Sequence, residues 1–215
     1  MFPYGVTGDK KGNVYVADLY NGNISIFDKK GKFIDYFKEN GSNVIKSPGG
    51  LRIIENKLYV TDIENSQVYV FDLKGKLLLT VGKSGENDGE LRAPNAVTAD
   101  KDGNIYVVDS GNQRVEIFNK EGKYKNTING SKDGKGSSTF VNPRGIGIDS
   151  RGIVYIVNNM THYVIGFNAK GEKAFEFGGM GDANEQFYLP NGLFVDDTDH
   201  VYITDTLNQR VAIYY

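Results

Sequence analysis

The chain has 215 residues, 39% of them hydrophobic, with 14 Tyr, 12 Phe, 27 Gly and a formal net charge of −2. That is enough apolar material for a core, while the near-neutral balance supplies no general field for nucleic acid or acidic membranes. The absence of Cys excludes disulfides, thiol catalysis and cysteine-ligated metals. No apolar run reaches membrane-spanning length, and the opening MFPYGVTGDKKGN has no basic region followed by an apolar stretch.

One pattern recurs along the whole chain. It begins at Pro3, Pro48, Pro94, Pro143 and Pro190, in steps of 45, 46, 49 and 47 residues. Its second landmark is Asp18, Asp62, Asp109, Asn158 and Asp205, and its third is Phe27, Phe71, Phe118, Phe167 and Tyr214. A turn glycine follows at Gly31, Gly75, Gly122 and Gly171, and the last copy ends before reaching its own. A period of this length marks a supersecondary unit that buries its apolar face only by stacking on a neighbour. The chain therefore reads as one domain, residues 1–215, with units near 3–47, 48–93, 94–142, 143–189 and 190–215.

The third copy shows the elements. Ala96–Ala99 is a short apolar strand, and Asp100–Asn104 a polar turn with glycine where positive φ is needed. Ile105–Val108 is a β-branched and aromatic second strand, followed by a turn from Asp109 through Asn112. Arg114–Phe118 alternates as a third strand, and Tyr124–Ile128 is a more polar fourth. Short strands with no room for a crossover helix make an antiparallel meander, the blade of an all-β propeller. The strand after each proline is the most apolar and Gly-rich and is expected nearest the axis. The fourth is expected outermost, with Lys123 and Lys125 blunting its edge.

The wording of the copies resembles the NHL repeat. The closest passages are Asp100–Phe118, with Asp-x-x-Gly-Asn, Val-x-Asp and Asn-x-Arg in register, and Val201–Val211. The resemblance covers the whole chain and implies a six-bladed ring. Five sets of the first three strands and four of the outermost are present, so the chain is expected to be part of a longer six-bladed protein. A five-bladed ring with an incomplete last blade is the competing reading. An open segment is expected to expose strand edges and to self-associate.

The Asp that ends each second strand sits three residues before Asn21, Asn65, Asn112 and Asn208, and five before Arg114 and Arg210. It reads as a turn acceptor and scaffold residue rather than as a ring of catalytic acids. Function is expected where copies differ. The residue after each proline is Tyr4, Gly49, Asn95, Arg144 and Asn191, a mixed polar set at one mouth of the channel. Tyr4, Asn95, Arg144 and Asn191 are therefore the candidate ligand-binding residues. His162 and His200 fall in different turns and read as solvated; no nucleophile–base pair is visible, so no catalytic residue is assigned. The lysines at 120, 123, 125, 132 and 135, interleaved with Glu121 and Asp133, read as a solvated loop rather than an RNA surface.

The leading functional reading is a non-catalytic binding or scaffold propeller without a cofactor, with a protein, peptide or carbohydrate as partner. Its recognition surface would be the channel mouth and the loops 39–47, 83–92, 129–141 and 178–189. The alternative is a metal-dependent lactonase or esterase. The segment Leu189–Asp196 is similar to the metal-binding strand of gluconolactonase-like propellers, which implies Asn191 and the equivalent Asn95 as ligands of a divalent cation such as calcium. The resemblance is compatible with a periplasmic or extracellular setting, and the residues themselves do not name the compartment.

Overall fold

A computed structural model describes residues 2–131, 134–168 and 170–215. Five antiparallel meanders stack face to face. Blade 1 comprises β1 (Pro3–Gly8), β2 (Val14–Asp18), β3 (Asn23–Phe27) and β4 (Phe33–Tyr36). Blade 2 comprises β5 (Pro48–Ile54), β6 (Lys57–Asp62), β7 (Gln67–Asp72) and β8 (Leu77–Val81). Blade 3 comprises β9 (Pro94–Ala99), β10 (Ile105–Asp109), β11 (Arg114–Phe118) and β12 (Tyr124–Ile128). Blade 4 comprises β13 (Pro143–Ile148), β14 (Val154–Asn158), β15 (Tyr163–Phe167) and β16 (Lys173–Gly178). Blade 5 has three strands, β17 (Pro190–Val195), β18 (Val201–Asp205) and β19 (Arg210–Tyr214).

The innermost strands start at the prolines themselves, two residues earlier than the apolar run of the third copy suggests. They pack in order β1, β5, β9, β13, β17 around the axis. The crowding there explains their glycines: a methyl group at Gly50 would sit 2.5 Å from the Asn95 carbonyl oxygen, and one at Gly145 2.5 Å from the Leu193 nitrogen. Alternate residues of each middle strand face the preceding and the following blade, so adjacent blades meet through apolar layers. Between blades 3 and 4, for example, Tyr106, Val108, Val115 and Ile117 meet Ile146, Ile156, Ile165 and Phe167.

That stacking stops at the two outer blades. Val211 and Ile213 occupy the positions that Val115 and Ile117 occupy in blade 3, yet they are 57% and 47% exposed where the blade 3 residues are 0% and 6% exposed. Phe194 beside them is also exposed. On blade 1, Val14, Val16 and Phe27 are only half-buried where their blade 2 counterparts Leu58, Val60 and Phe71 are fully buried. Blades 1 and 5 thus carry the two halves of an inter-blade interface, not packed on each other.

The repeated carboxylate locks each blade to the connector before it. A backbone N–H just ahead of the proline donates to it in every copy: Phe2 to Asp18 (3.1 Å), Lys46 to Asp62 (2.6 Å), Arg92 to Asp109 (2.6 Å) and Tyr188 to Asp205 (2.7 Å). Val141 does the same to the amide oxygen of Asn158 (2.6 Å). The rest of the carboxylate serves its own turn, as the spacing suggests. Asn112 Nδ2 and Arg114 Nε reach Asp109 at 2.7 and 2.9 Å, and Asn208 and Arg210 repeat this on Asp205. The scaffold reading of these acids is thereby extended: each ties two successive repeats, not one turn. Asp109→Ala leaves the Arg92 N–H unmatched and removes one of the two carboxylates beside Arg114, and is expected to cost about 3 kcal/mol in urea unfolding. Asp109→Asn is expected to cost less than half of that, because Asn158 already fills this role; a loss below about 1 kcal/mol for the alanine variant would contradict the clamp.

One buried acid breaks the repeat. Glu116 takes the position of Ser25, Tyr69, Ile165 and Ala212 and is fully buried. It pairs with Arg114 (2.9 Å) and accepts bonds from Thr127 Oγ1 (3.0 Å) and the Gly89 N–H (3.1 Å). Burial nonetheless pushes its carboxyl up to about 7, against the pull of Arg114. The folded state therefore holds this proton more tightly than the unfolded chain, and the contribution to stability falls as pH rises from the ordinary Glu range toward 7. Glu116→Gln is expected to gain stability over the parent by on the order of 2 kcal/mol at pH 8, and by much less at pH 5, in paired thermal melts.

Candidate functional site

The polar mouth of the channel is made by a break in the inner strands. Pairing with the second strand slips between Pro3 and Val6, between Pro94 and Ala96, between Pro143 and Ile146, and between Pro190 and Leu193. An extra residue on one strand leaves its backbone unpaired and re-aims its side chain. In blade 3 the break falls on Asn95 alone; in blades 1, 4 and 5, and in blade 2 between Pro48 and Leu51, it takes in the two residues after the proline. In blades 3, 4 and 5 the residue before the proline is left-handed as well, with φ of 48° at Ala93, 57° at Asn142 and 52° at Leu189. Such conformations are sparsely populated for residues other than glycine and mark a constrained turn into the site.

Tyr4, Asn95, Arg144 and Asn191 consequently line one cavity of about 300 Å³. Gly49 is not part of its lining; the Gly50 backbone takes that sector. Arg144 Nη1 donates to the Tyr4 hydroxyl at 2.7 Å, and that hydroxyl donates to Asn95 Oδ1 at 2.9 Å. Residues from three blades, up to 140 positions apart in sequence, thus form one relay. Arg52, Phe194 and Tyr202 complete the polar and aromatic wall. Arg52 was missed in the sequence because it sits inside the apolar run Gly49–Ile54; a lone charge in an inner strand was the available signal. Its guanidinium lies 4.2 Å from the Phe194 ring centre and donates to the Val195 carbonyl at 3.3 Å, crossing from blade 2 to blade 5. Burial lowers its pKa below the usual arginine value.

This donor set does not fit a hard cation. Such ions want several oxygens, carboxylates among them, and no Asp or Glu lines the cavity. The Asn95 oxygen already accepts from Tyr4, and Arg144 would oppose a positive ion. Among the described residues no group of three His, Cys, Asp or Glu side chains is placed to hold a metal.

The other sequence candidates lie elsewhere. His162 is not simply solvated: its Nδ1 accepts the Leu189 N–H at 3.0 Å and its ring meets Tyr188 edge-on, so it helps set the turn into blade 5. His200 stays a turn residue beside Thr198 and Asp196, and neither histidine lines the cavity. Of the lysine group, Lys125 donates to Asn104, while Lys132, with Asp133, lies outside the described residues. The long connectors are preformed by polar anchors. The Glu39 carboxylate takes the Val44 and Ile45 N–H groups, Asn129 Nδ2 holds the Gly134 and Gly136 carbonyls, and Arg114 and Arg210 each grip carbonyls of the preceding connector. No helix among the described residues is long and apolar enough to cross a membrane.

The fold agrees with the comparisons with known proteins. The family described as "6-bladed beta-propeller" matches residues 38–115 and 100–174, and the NHL repeat matches residues 187–214. The chain belongs to that β-propeller family and carries NHL-type repeats; five blades are present in the structure. Among solved structures it is similar to virginiamycin B lyase from Staphylococcus aureus at 17% identity, covering 99% of this chain and 69% of the other, with a TM-score of 0.66. A nidogen/laminin complex aligns at 17% identity over 98% of this chain and 74% of the other, with a TM-score of 0.75. A Bacteroides caccae protein of unknown function aligns at 14% identity over 94% and 70%, with a TM-score of 0.69. At such identities the likeness shows the fold alone. No curated protein sequence matches the chain.

Proposed function

We propose that this chain is a non-catalytic binding propeller whose recognition site is the channel mouth at Tyr4, Asn95, Arg144 and Asn191, flanked by the preformed connectors. One contrast carries the reading. The polar side chains that repeat from blade to blade are consumed in holding the scaffold, whereas those that differ are delivered by bulges into one cavity. A rigid disc with non-repeating groups at its mouth suits recognition of a protein, peptide or carbohydrate. A protein partner has the support that one structural neighbour was solved as a nidogen/laminin complex. The lactonase or esterase alternative lacks a fitting donor set, and although another neighbour is a lyase, no His, Asp or Glu lines this mouth to serve as its base. The uncovered faces of blades 1 and 5 further support self-association of the chain as it stands.

Two measurements test these statements. In amide-shift mapping of a fragment library against the labelled chain, hits are expected to cluster on Tyr4, Asn95, Arg144 and Asn191 and to vanish in Asn191→Trp, which fills an exposed side of the mouth. Hits scattered over the surface and indifferent to that variant would remove the reading. In sedimentation runs over a range of concentrations the average mass is expected to rise, and Val211→Glu combined with Ile213→Lys to suppress the rise; a monomer throughout would refute self-association.

A further inference from the structure

Two arginines and no acid line the cavity at the channel mouth, and Arg52 also borders a second cavity lined by Asp9, Asp149, Asp196, Asp197 and Asp199. Arg144 has the Tyr4 hydroxyl as its bonding partner, and Arg52 has the Val195 carbonyl and the Phe194 ring. Neither guanidinium has a carboxylate partner among the described residues. Elsewhere in the chain the well-buried arginine behaves otherwise: Arg114 is paired with both Asp109 and Glu116. A guanidinium has five donors, and a half-buried one with a single bond has several left facing the cavity. Taking such a charge out of bulk water without a counter-ion is unfavourable, so Arg144, whose cavity has no acid in its lining, favours whatever anion enters.

The rest of the wall limits the kind of anion. Around the arginines stand Val6, Leu51, Ile146, Leu193, Phe194 and Val211, with no Lys and no glycine-rich turn ahead of a helix. A multiply charged phosphate would put its charge against that apolar wall with the Arg144 guanidinium to satisfy it. A carboxylate carries one charge, and its two oxygens match the guanidinium fork. Asn191, with an exposed side chain at the rim, offers an amide donor and acceptor to a group next to the carboxylate.

We propose that the channel mouth binds the carboxylate of an amphiphilic ligand, with Arg144 receiving the anion and the Phe194–Val211 side of the cavity receiving the apolar body attached to it. The proposal rests on the channel-mouth reading above and names the chemistry of its ligand. A carboxylate of this kind is found at the end of a peptide and on an acidic sugar, and the two sources differ in the group beside it.

The test uses the complete 215-residue chain and three probes in low-salt calorimetric titrations: N-acetyl-phenylalanine, its neutral amide, and glucuronate. The acid is expected to bind at least about tenfold more tightly than the amide, and the preference to shrink as salt is added. Arg144→Gln is expected to abolish the preference, and Arg144→Lys to retain part of it. Tighter binding of glucuronate than of N-acetyl-phenylalanine would keep the carboxylate and assign it to a sugar. Equal binding of acid and amide would overturn the charge proposal while leaving the binding site in place, and failure of all three probes would overturn it too, leaving the fragment mapping to judge the site. An intact preference in Arg144→Gln would also refute it. Should that variant fail to fold, the wild-type comparison of acid with amide still decides.

Discussion

The structure depends on one hydrogen bond made over and over: a backbone N–H ahead of each inner strand, donated to the side chain that ends the second strand of the same blade. That N–H belongs to the connector arriving from the blade before, so the bond fixes where each new blade begins. A buried carboxylate is tolerated because its oxygens are filled from two sides, by the connector and by the Asn or Arg of its own turn. Where blade 4 substitutes Asn158, the donor is kept and the charge is lost, which shows that the geometry rather than the ion is what the fold requires. Even so, burial leaves Asp109 with a raised pKa despite hydrogen bonds from Arg92, Asn112 and Arg114, a measure of how much desolvation the clamp must offset.

The same junction makes the candidate site. Pinning the connector on one side and starting the inner strand with proline on the other leaves one surplus residue, and the strand absorbs it as a bulge. The bulge turns that residue toward the channel. Scaffold and site are therefore consequences of one constraint, and they sort the polar residues cleanly. Those that repeat are taken up by the connector backbone and the side chains of their own turn, and those that vary line the cavity. The cavity extends along the uncovered face of blade 5, where Phe194, Tyr202 and Val211 would otherwise meet a neighbouring blade. Whatever covers that face will therefore reshape one wall of the site.

Much of this was legible in the sequence. The proline, acid and aromatic landmarks placed every blade, because a stacked repeat must bury the same face each time and so reuses the same residues. The acids were correctly read as scaffold from their spacing to Asn and Arg. The four mouth residues were found by asking where copies differ, and the structure does bring Tyr4, Asn95, Arg144 and Asn191 together. His162 was misjudged because its partner, the Leu189 N–H, comes from the next blade. The connectors looked merely long and polar because the arginines that hold them lie more than 20 residues further on.

The repeat alone therefore determined the architecture, the order of the strands and the division between repeated and variable positions, since these follow from local periodicity. Tertiary structure decided what the variable positions make. Arg52 in an apolar strand, Arg144 after a proline and Phe194 in the last blade have no relation in sequence. They line one cavity only because the blades wrap a common axis, and Arg144 stands there without an acid because no Asp or Glu lines that cavity. Contact across the channel is set by how the successive blades stack around the axis, and no single repeat contains it.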